Sequence, residues 1–510
     1  MSKQLFLSMA MLTAATMFLV TAWIGDDAFI TLRVIDNFIN GYGLRYNVIE
    51  RVQVFTHPLW LIFLTPFYTL TQEAMVTSMV ISVILSLAAM WLLATRIAIT
   101  IEYGCLLVLV AVASVAISQY STSGLENPLT FLLLALFVWQ LYRISEAEWI
   151  PAGIAGLLAL NRLDLALLVG PVVAYLLFRT HGKDRAKVTV AAFLPAFAWM
   201  VFSLIYYGAP FPNTAYAKLG SGYSSDTLIL RGLNYTKIFV LTDPLLALLI
   251  GKVVFDALRN RNWATKLLGV GIALYILYIA VIGGDFMSGR FFASPGFLAI
   301  CLLARTPVPQ WVAKQTNLIF LVSIGILVAL LVMRATVQQN HSIPSNGITD
   351  ERVFYADNGL FPVLTKWINT GVEPVQELGQ RGMALKDEAQ RTGTLIYTVQ
   401  MNMGMIGYYS GPYVHNIDIL ALTDAFLARL PAIPGGRIGH YQRVLPSGYA
   451  KTVLYSVPTT QVEGLRPLLN DVTLATRSPL LSEGRWDAIW RLNSGHYSWA
   501  YETDILEQPK

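Results

Sequence analysis

The chain has 510 residues, of which 55% are hydrophobic and 13% are charged, and its formal net charge is +5. Soluble domains carry about 25% charged residues, so the polar groups of this chain cannot cover a globular surface of its size. The composition excludes an ordinary soluble domain and indicates a chain largely covered by lipid. The small positive charge gives no sign of nucleic-acid binding.

Residues 5–24 are predicted to form a first membrane-spanning helix that stays on the protein. A cleaved signal peptide would have a small-residue cleavage site after about 7–15 apolar residues. This run instead continues to Trp23-Ile24 and then meets Gly25-Asp26-Asp27. Further apolar runs approach the length of about 20 residues that a span requires, namely residues 73–95, 103–118, 127–142, 149–161, 163–178, 188–207, 236–258, 264–282, 291–304 and 317–337.

Residues 57–70 form a shorter apolar run of about 14 residues, the length of a re-entrant or interfacial helix. The basic clusters in residues 179–187, 259–266 and 305–314 are predicted to be cytoplasmic. If Lys3 is also cytoplasmic, the number of spans between it and these clusters must be even. This condition holds only if residues 57–70 do not cross the membrane. Residues 25–71 are then one external loop with interfacial helices, and the C-terminal region also lies outside.

The polarity of the chain changes after residue 337. Residues 338–345 form a polar linker, and the remainder shows strand-like runs at 394–398 and 452–456 and a helical pattern at 378–391. The predicted fold is a polytopic α-helical membrane protein with about eleven spans in residues 1–337, followed by a soluble α/β domain in residues 338–510. Cys105 and Cys301 both lie in apolar runs, so no disulfide is expected.

Two adjacent carboxylates, Asp26 and Asp27, follow the first span directly. From Asp27 onward, apolar and polar residues separate at helical spacing, which predicts an amphipathic helix lying in the membrane interface. One interpretation is that Asp26 only caps this helix, where the helix dipole favours an anion. The other is that the acid pair performs acid–base chemistry at the external face.

Several sequence blocks resemble membrane enzymes of one superfamily. The blocks GDDAFITLRVIDNFINGYGLRYN and ERVQVFTHPLW, in residues 25–60, are similar to the first external loop of GT-C glycosyltransferases, in which an acid pair carries the catalytic acid. The blocks STSGLENPLTFLLLAL, GGDFMSGRFFASPGF, GMIGYYSGPYVHNIDILALTDAFLARLPA and RIGHYQRVLPSGY follow in order. Together they resemble terminal arabinofuranosyltransferases of the AftB-like type and related bacterial membrane proteins implicated in pilin glycosylation.

The resemblance implies an inverting-type glycosyltransferase of the bacterial inner membrane, with its active site and C-terminal domain on the periplasmic side. It would move a sugar, arabinofuranose by the resemblance, from a polyprenyl-phosphate donor to a hydroxyl of an extracytoplasmic glycan or pilin-like protein. Such a reaction needs a base for the hydroxyl proton and cations for the departing phosphate. Membrane lipids are expected partners, and nucleic acid is not. No cofactor is certain, and a divalent cation is an open expectation because carboxylates can bind one.

The expected site combines residues that are distant in the sequence. Asp26 and Asp27 are the expected catalytic pair, with Asp26, the first acid, as the base. The expected donor phosphate-binding residues are Arg33, Arg162, Lys218 and Arg290, with the last three converging near Asp26. The expected substrate-binding residues are His57, Glu126, Asp164, Asp285, Tyr408 and His415.

Structural alternatives stand beside several of these assignments. Arg162 and Asp164 could form a mutual pair that only sets packing, Asp285 and Arg290 could close a turn, and Lys218 could be an ordinary solvated lysine. At the level of function, the alternatives are transfer of another sugar such as mannose, a lipid-linked sugar flippase, or a scaffold. A transporter is expected to show paired repeats, and the sequence shows none.

Overall fold

The computed structural model describes residues 1–143, 147–220, 222–336, 344–372, 374–455 and 463–501. Most of the predicted linker, residues 338–343, lies outside this range. The strands are β1 Ile396–Gln400 and β2 Val414–Asp418. The α-helices are α1 Lys3–Thr21, α2 Asp26–Ile39, α3 Pro58–Thr71, α4 Met75–Leu92, α5 Ile101–Ala113, α6 Val115–Tyr120, α7 Asn127–Tyr142, α8 Trp149–Asn161, α9 Ala166–Arg179, α10 Gly182–Tyr207, α11 Asn213–Leu219, α12 Ser225–Thr242, α13 Pro244–Arg259, α14 Trp263–Val281, α15 Arg290–Leu303, α16 Gln310–Thr336, α17 Glu351–Phe354, α18 Leu360–Thr370, α19 Glu377–Thr392, α20 Met405–Ser410, α21 Tyr449–Tyr455, α22 Arg466–Arg477 and α23 Arg485–Asn493.

The protein is a polytopic α-helical membrane protein, as the sequence predicts. Among the described residues, 5 helices are long and apolar enough to cross a membrane, or 6 if the bent pair α12–α13 forms one span. The unbent ones are α1, α4 with its π-helical extension, α10, α14 and α16. Shorter apolar helices of 10–17 residues are α3, α5, α7, α8 and α15. The number of about eleven spans stays a prediction.

Two of the predicted continuous spans are interrupted. The run at 103–118 breaks at Ser114, whose hydroxyl accepts a hydrogen bond from the Ile117 amide at 3.1 Å and so caps α6. The run at 236–258 breaks at Asp243-Pro244, where α12 and α13 meet at 112°. Proline cannot continue the first helix but suits the first turn of the second. The Ser114 hydroxyl donates to the Asp243 carboxylate at 2.6 Å, so the two breaks stabilise each other.

The chain divides into two compact units, and each is built from separate stretches of sequence. The first unit comprises Met1–Gly25, Met75–Ala196 and Ser225–Val372. Within it α1 packs on α5, α4 on α7, and α9 on α14. The last two approach closely, since a Cβ on Gly271 of α14 would lie 2.0 Å from the Leu168 carbonyl oxygen. This unit holds most of the apolar helices.

The second unit comprises Asp26–Ala74, Phe197–Ser224 and Glu373–Lys510. Its small sheet pairs β1 and β2 in parallel, with Ile396 opposite Val414 and Gln400 opposite Asp418. All five residues of β2 are buried. The predicted external loop and the C-terminal region therefore share one compact unit, and the predicted division at residues 337 and 338 stays a prediction.

The predicted elements of the C-terminal region have mixed outcomes. The helical pattern at 378–391 is confirmed by α19, and the strand at 394–398 corresponds to β1, shifted by two residues. The predicted strand at 452–456 is wrong because residues up to 455 belong to helix α21. The Tyr449 ring stacks on Phe426 at 4.9 Å and its hydroxyl donates to Asp424 at 2.9 Å. These tertiary contacts override the local strand preference.

Helix α2 forms where it was predicted, but part of its polar side is buried in the protein. Arg33 and Asn37, expected on the polar face, are both 2% exposed. The Asn37 amide donates to the carbonyl oxygens of Arg45 at 2.9 Å and Tyr46 at 3.0 Å. The helix is therefore an internal element of the second unit, and its polar groups are satisfied by protein partners.

Candidate active site

The acid pair begins α2 in the second unit. The Asp26 carboxylate accepts hydrogen bonds from the backbone amides of Gly404 at 3.0 Å and Met405 at 2.7 Å, and it is 7% exposed. These amides open helix α20, so Asp26 caps that helix as well as beginning its own. A Cβ on Gly404 would lie 2.6 Å from the Asp26 carboxyl carbon, so the close approach requires glycine.

The environment of Asp26 suits proton transfer near neutral pH. Burial raises the pKa of the Asp26 carboxyl to about 6, the hydrogen bonds from Met405 and Gly404 oppose this shift, and the negative charge of Asp27 adds to it. Burial of Asp26 and the charge of Asp27 act on this pKa in the same direction. The main cause is burial, however, and repulsion between the two acids is secondary. Asp27 is more exposed than Asp26.

Arg33 connects α2 with other parts of the second unit. Its guanidinium donates to the carbonyl oxygens of Tyr46, Gly407 and Val414 and to the Ser410 hydroxyl. The guanidinium also lies 4.7 Å from the centre of the Tyr46 ring, and burial lowers its pKa. Four of its five N–H groups are thus directed to protein oxygens. These contacts occupy the guanidinium with protein oxygens, and the phosphate-binding role of Arg33 stays a prediction.

Two predicted substrate-binding residues lie beside α2. The Tyr408 hydroxyl is 2.6 Å from the Tyr68 hydroxyl, which donates to the Asp36 carboxylate at 2.9 Å. The Tyr408 ring meets Phe29 edge-on at 5.5 Å. The buried His57 ring lies 2.8 Å from the Thr31 hydroxyl. Both side chains therefore support α2, and their contact with substrate stays a prediction.

His415 is enclosed in strand β2. It is 2% exposed and its Nε2 lies 3.7 Å from the Glu50 carboxylate. Burial lowers the pKa of His415 to about 4, so the ring is neutral at physiological pH. A neutral, enclosed imidazole suits a structural role in this strand, and the substrate-binding role of His415 stays a prediction.

Lys218 lies at the end of α11, and hydrogen bonds connect this helix to the segment at residues 421–443. The Asn213 amide donates to the carbonyl oxygen of Ala421 at 2.9 Å, and Arg443 donates to that of Ala217 at 2.6 Å. Lys218 itself is exposed. The structure thus places the lysine beside the sequence block at 437–449 that carries part of the resemblance.

His440 links this segment electrostatically to the acid pair. Burial lowers the pKa of His440, the positive charges of Arg437 and Lys218 lower it further, and the negative charge of Asp27 raises it. The second unit therefore brings Asp27, Lys218 and Arg437 within electrostatic reach of His440. Sequence reasoning did not select Arg437 as a cation, although it opens the block RIGHYQRVLPSGY.

The other predicted cations form a buried charge cluster in the first unit. Arg162 donates to Glu126 at 2.8 Å and to Asp164 at 3.0 Å. Arg290 lies 3.5 Å from the same Glu126 and 3.6 Å from Asp285. Two guanidinium groups thus face three carboxylates. The alternatives that paired Arg162 with Asp164 and Arg290 with Asp285 describe real contacts, and in the described part of the chain both guanidinium groups already face carboxylates.

The predicted convergence of Arg162, Lys218 and Arg290 near Asp26 stays a prediction. Arg162 and Arg290 share Glu126 in the first unit, and in the second unit Lys218 and Asp27 each act on the pKa of His440. Among the described residues, no group of at least 3 His, Cys, Asp or Glu side chains could hold a metal ion, and the expected divalent cation also stays a prediction.

Two curated relatives that align with most of this chain are arabinofuranosyltransferases. The terminal β-(1→2)-arabinofuranosyltransferase of Mycobacterium tuberculosis is 26% identical over 83% of this chain and 81% of its own length. The enzyme of the same name from Corynebacterium glutamicum is 26% identical over 82% of this chain and 72% of its own length. The predicted resemblance and the predicted enzyme class are thereby confirmed. No family model matches the chain.

Two solved structures align with this chain at TM-scores below 0.5. The archaeal oligosaccharyltransferase AglB from Archaeoglobus fulgidus, in complex with an inhibitory peptide and a dolichol-phosphate, aligns with a TM-score of 0.46 and 10% identity. That alignment covers 82% of this chain and 65% of AglB, so this chain spans less than two thirds of its length. ArnT from Cupriavidus metallidurans, bound to undecaprenyl phosphate, gives a TM-score of 0.45, with 16% identity over 83% of this chain and 76% of ArnT.

Proposed function

We propose that the protein transfers an arabinofuranosyl group from a polyprenyl-phosphate donor to a hydroxyl of an extracytoplasmic glycan. The observation that carries the proposal is the Asp26-Asp27 pair, in which Asp26 is fixed by two backbone amides and has a pKa of about 6. A general base is most effective when its pKa lies near the working pH. The similarity to arabinofuranosyltransferases over 83% of the chain supports the choice of sugar.

The proposed reaction assigns roles to four charged groups of the second unit. Asp26 takes the proton of the acceptor hydroxyl, whose oxygen forms a bond to the anomeric carbon. The bond between that carbon and the phosphate oxygen breaks, and the phosphate leaves with the bonding electrons. Lys218 and Arg437 are the cations that we assign to this developing charge, and Asp27 positions the acceptor. The inverting course expected from the sequence stays a prediction.

We also propose that the acid pair and the C-terminal region face the periplasm, across the bacterial inner membrane from Arg179 and Arg185. The support is the basic loop between α9 and α10, which contains Arg179, Lys183, Arg185 and Lys187. Such loops are retained in the cytoplasm. A polyprenyl-linked donor in the bilayer would reach this site without a nucleotide-binding fold.

A donor panel tests this function. Purified protein in lipid nanodiscs is incubated with radiolabelled polyprenyl-phosphate arabinofuranose or polyprenyl-phosphate mannose, each with an arabinan oligosaccharide or a pilin-like peptide. We expect label to reach the oligosaccharide from the arabinofuranose donor only. Transfer from the mannose donor would contradict the sugar assignment, and transfer to the peptide would contradict the acceptor class. Failure of every donor and acceptor to react would contradict transferase function.

A further inference from the structure

Helix α23 carries large apolar side chains on its outer surface. Trp490 is 74% exposed and Trp486 is 43% exposed. Because the two residues are four positions apart, they lie on the same side of the helix. Leu481, in the turn before α23, is also exposed. Exposed tryptophans in this arrangement are unusual on a water-facing surface, and they indicate contact with an apolar or interfacial environment.

The same helix is hydrogen-bonded to the end of a candidate membrane-spanning helix. Helix α10 is long and apolar enough to cross a membrane and ends at Tyr207. The Arg485 guanidinium in α23 donates to the carbonyl oxygens of Ile205 at 2.8 Å and Tyr206 at 3.3 Å. At the other end of α23, the Asn493 amide donates to the Gly208 carbonyl at 2.9 Å. These bonds satisfy carbonyls at the end of α10 and fix α23 beside them.

The last turns of α10 indicate where lipid lies. Phe197, Val201 and Ile205 are exposed and spaced by four residues, so they form one apolar stripe along the helix. The stripe ends at Ile205, whose carbonyl oxygen accepts a hydrogen bond from Arg485, the residue before Trp486. The exposed tryptophans therefore lie near the level at which the lipid-facing stripe of the span ends.

We infer that α23 is a membrane-interface anchor, with Trp486 and Trp490 inserted among the lipid headgroups of the leaflet in which α10 ends. Tryptophan favours this region because its ring is apolar and its indole N–H can remain hydrated. The occupant of the surface is the lipid bilayer. This anchor holds the second unit at a fixed height on the membrane, and it does not depend on the proposed reaction.

Site-directed spin labelling in the full-length protein tests the anchor. Cys105 and Cys301, which are buried, are first replaced by Ala, and Trp490→Cys then carries a nitroxide in lipid nanodiscs. The matched control is Glu388→Cys, an exposed position among the charged residues of α19 in the same unit. We expect the label at 490 to collide severalfold more often with oxygen, relative to a water-soluble nickel chelate, than the label at 388. Equal accessibility at the two positions would overturn the proposal.

Two additional measurements distinguish lipid from other partners. Dipolar broadening between labels at position 490 in different molecules would show that a second copy covers the surface, which also overturns the proposal. Without any label, brominated lipids should quench less of the tryptophan emission in Trp486→Gln/Trp490→Gln than in the unsubstituted protein. Unchanged quenching in a variant that is still folded would contradict the insertion of these rings.

Discussion

At the scale of single residues, the pKa of Asp26 leads to a pH dependence. Burial raises this pKa from 3.8 to about 6, so the carboxylate is protonated below that pH and ionised above it. Only the ionised form can accept the hydroxyl proton. We expect kcat/KM for transfer to fall about tenfold for each pH unit below 6 and to reach a plateau above it. Initial rates between about pH 4.5 and 8 measure the profile.

The control for this profile is Asp27→Asn, which removes the neighbouring negative charge but leaves burial as the larger cause of the shift. Its profile should keep the same shape, with the midpoint moved slightly to lower pH. A rate that does not change between about pH 5 and 7 in either protein would contradict the role of Asp26 as the base.

The sequence could indicate some of these residues and not others. The acid pair was identifiable because it follows the first span directly. Its partners were not, since Gly404 lies 378 positions further along the chain. Arg33 was assigned to phosphate because a sequence shows the charge of a side chain. It does not show the carbonyl oxygens that the guanidinium meets after folding.

At the scale of elements, the contact between α2 and α20 can be tested by adding one carbon atom. In Gly404→Ala the new Cβ would lie 1.8 Å from the Asp26 carbonyl oxygen, so the start of α20 must move. Both hydrogen bonds from backbone amides to the Asp26 carboxylate should then be lost. We expect transfer to fall by roughly 10² or more and the free energy of unfolding to fall by about 1–3 kcal/mol.

A matched control separates this effect from the cost of any added methyl group. Gly464→Ala lies in the same unit, and a Cβ there would meet nothing within 4 Å. It should leave both transfer and thermal unfolding unchanged. If Gly404→Ala behaves like this control, the Asp26 carboxylate does not need its bonds to the start of α20.

Individual elements were predictable to different degrees. Long apolar runs identified α1, α10, α14 and α16 because a span must satisfy its own backbone in lipid. The break at Asp243-Pro244 was present in the sequence, but hydropathy continues across it. The helical state of α21 could not be inferred locally, because the contacts of Tyr449 with Phe426 and Asp424 arise only in the folded unit.

At the scale of the whole molecule, the C-terminal region is predicted to be external. The argument is the retention of basic loops in the cytoplasm, applied to the clusters at 179–187, 259–266 and 305–314. Alkaline phosphatase fused after Lys510 should therefore be active, and β-galactosidase fused at the same position should be inactive. The reverse pattern would contradict the orientation and would place the acid pair on the wrong side for an external acceptor.

The membrane class of the molecule followed from composition alone, whereas its division into compact units did not. A charged fraction of 13% already requires a large lipid-covered surface. The second unit, by contrast, assembles residues 26–74, 197–224 and 373–510. Hydropathy is a local property of the sequence, so it cannot indicate which distant stretches pack together.

The most direct test of the central claim compares Asp26→Asn with the unsubstituted protein in a single-turnover transfer assay. The substitution keeps the size of the side chain but removes its basicity. With labelled polyprenyl-phosphate arabinofuranose and a glycan acceptor, we expect the rate to fall by roughly 10²–10⁴-fold, while membrane insertion is retained. Asp27→Asn should lose less activity. An unchanged rate in Asp26→Asn would contradict its assignment as the base, and full transfer by the double variant would contradict the proposed mechanism as a whole.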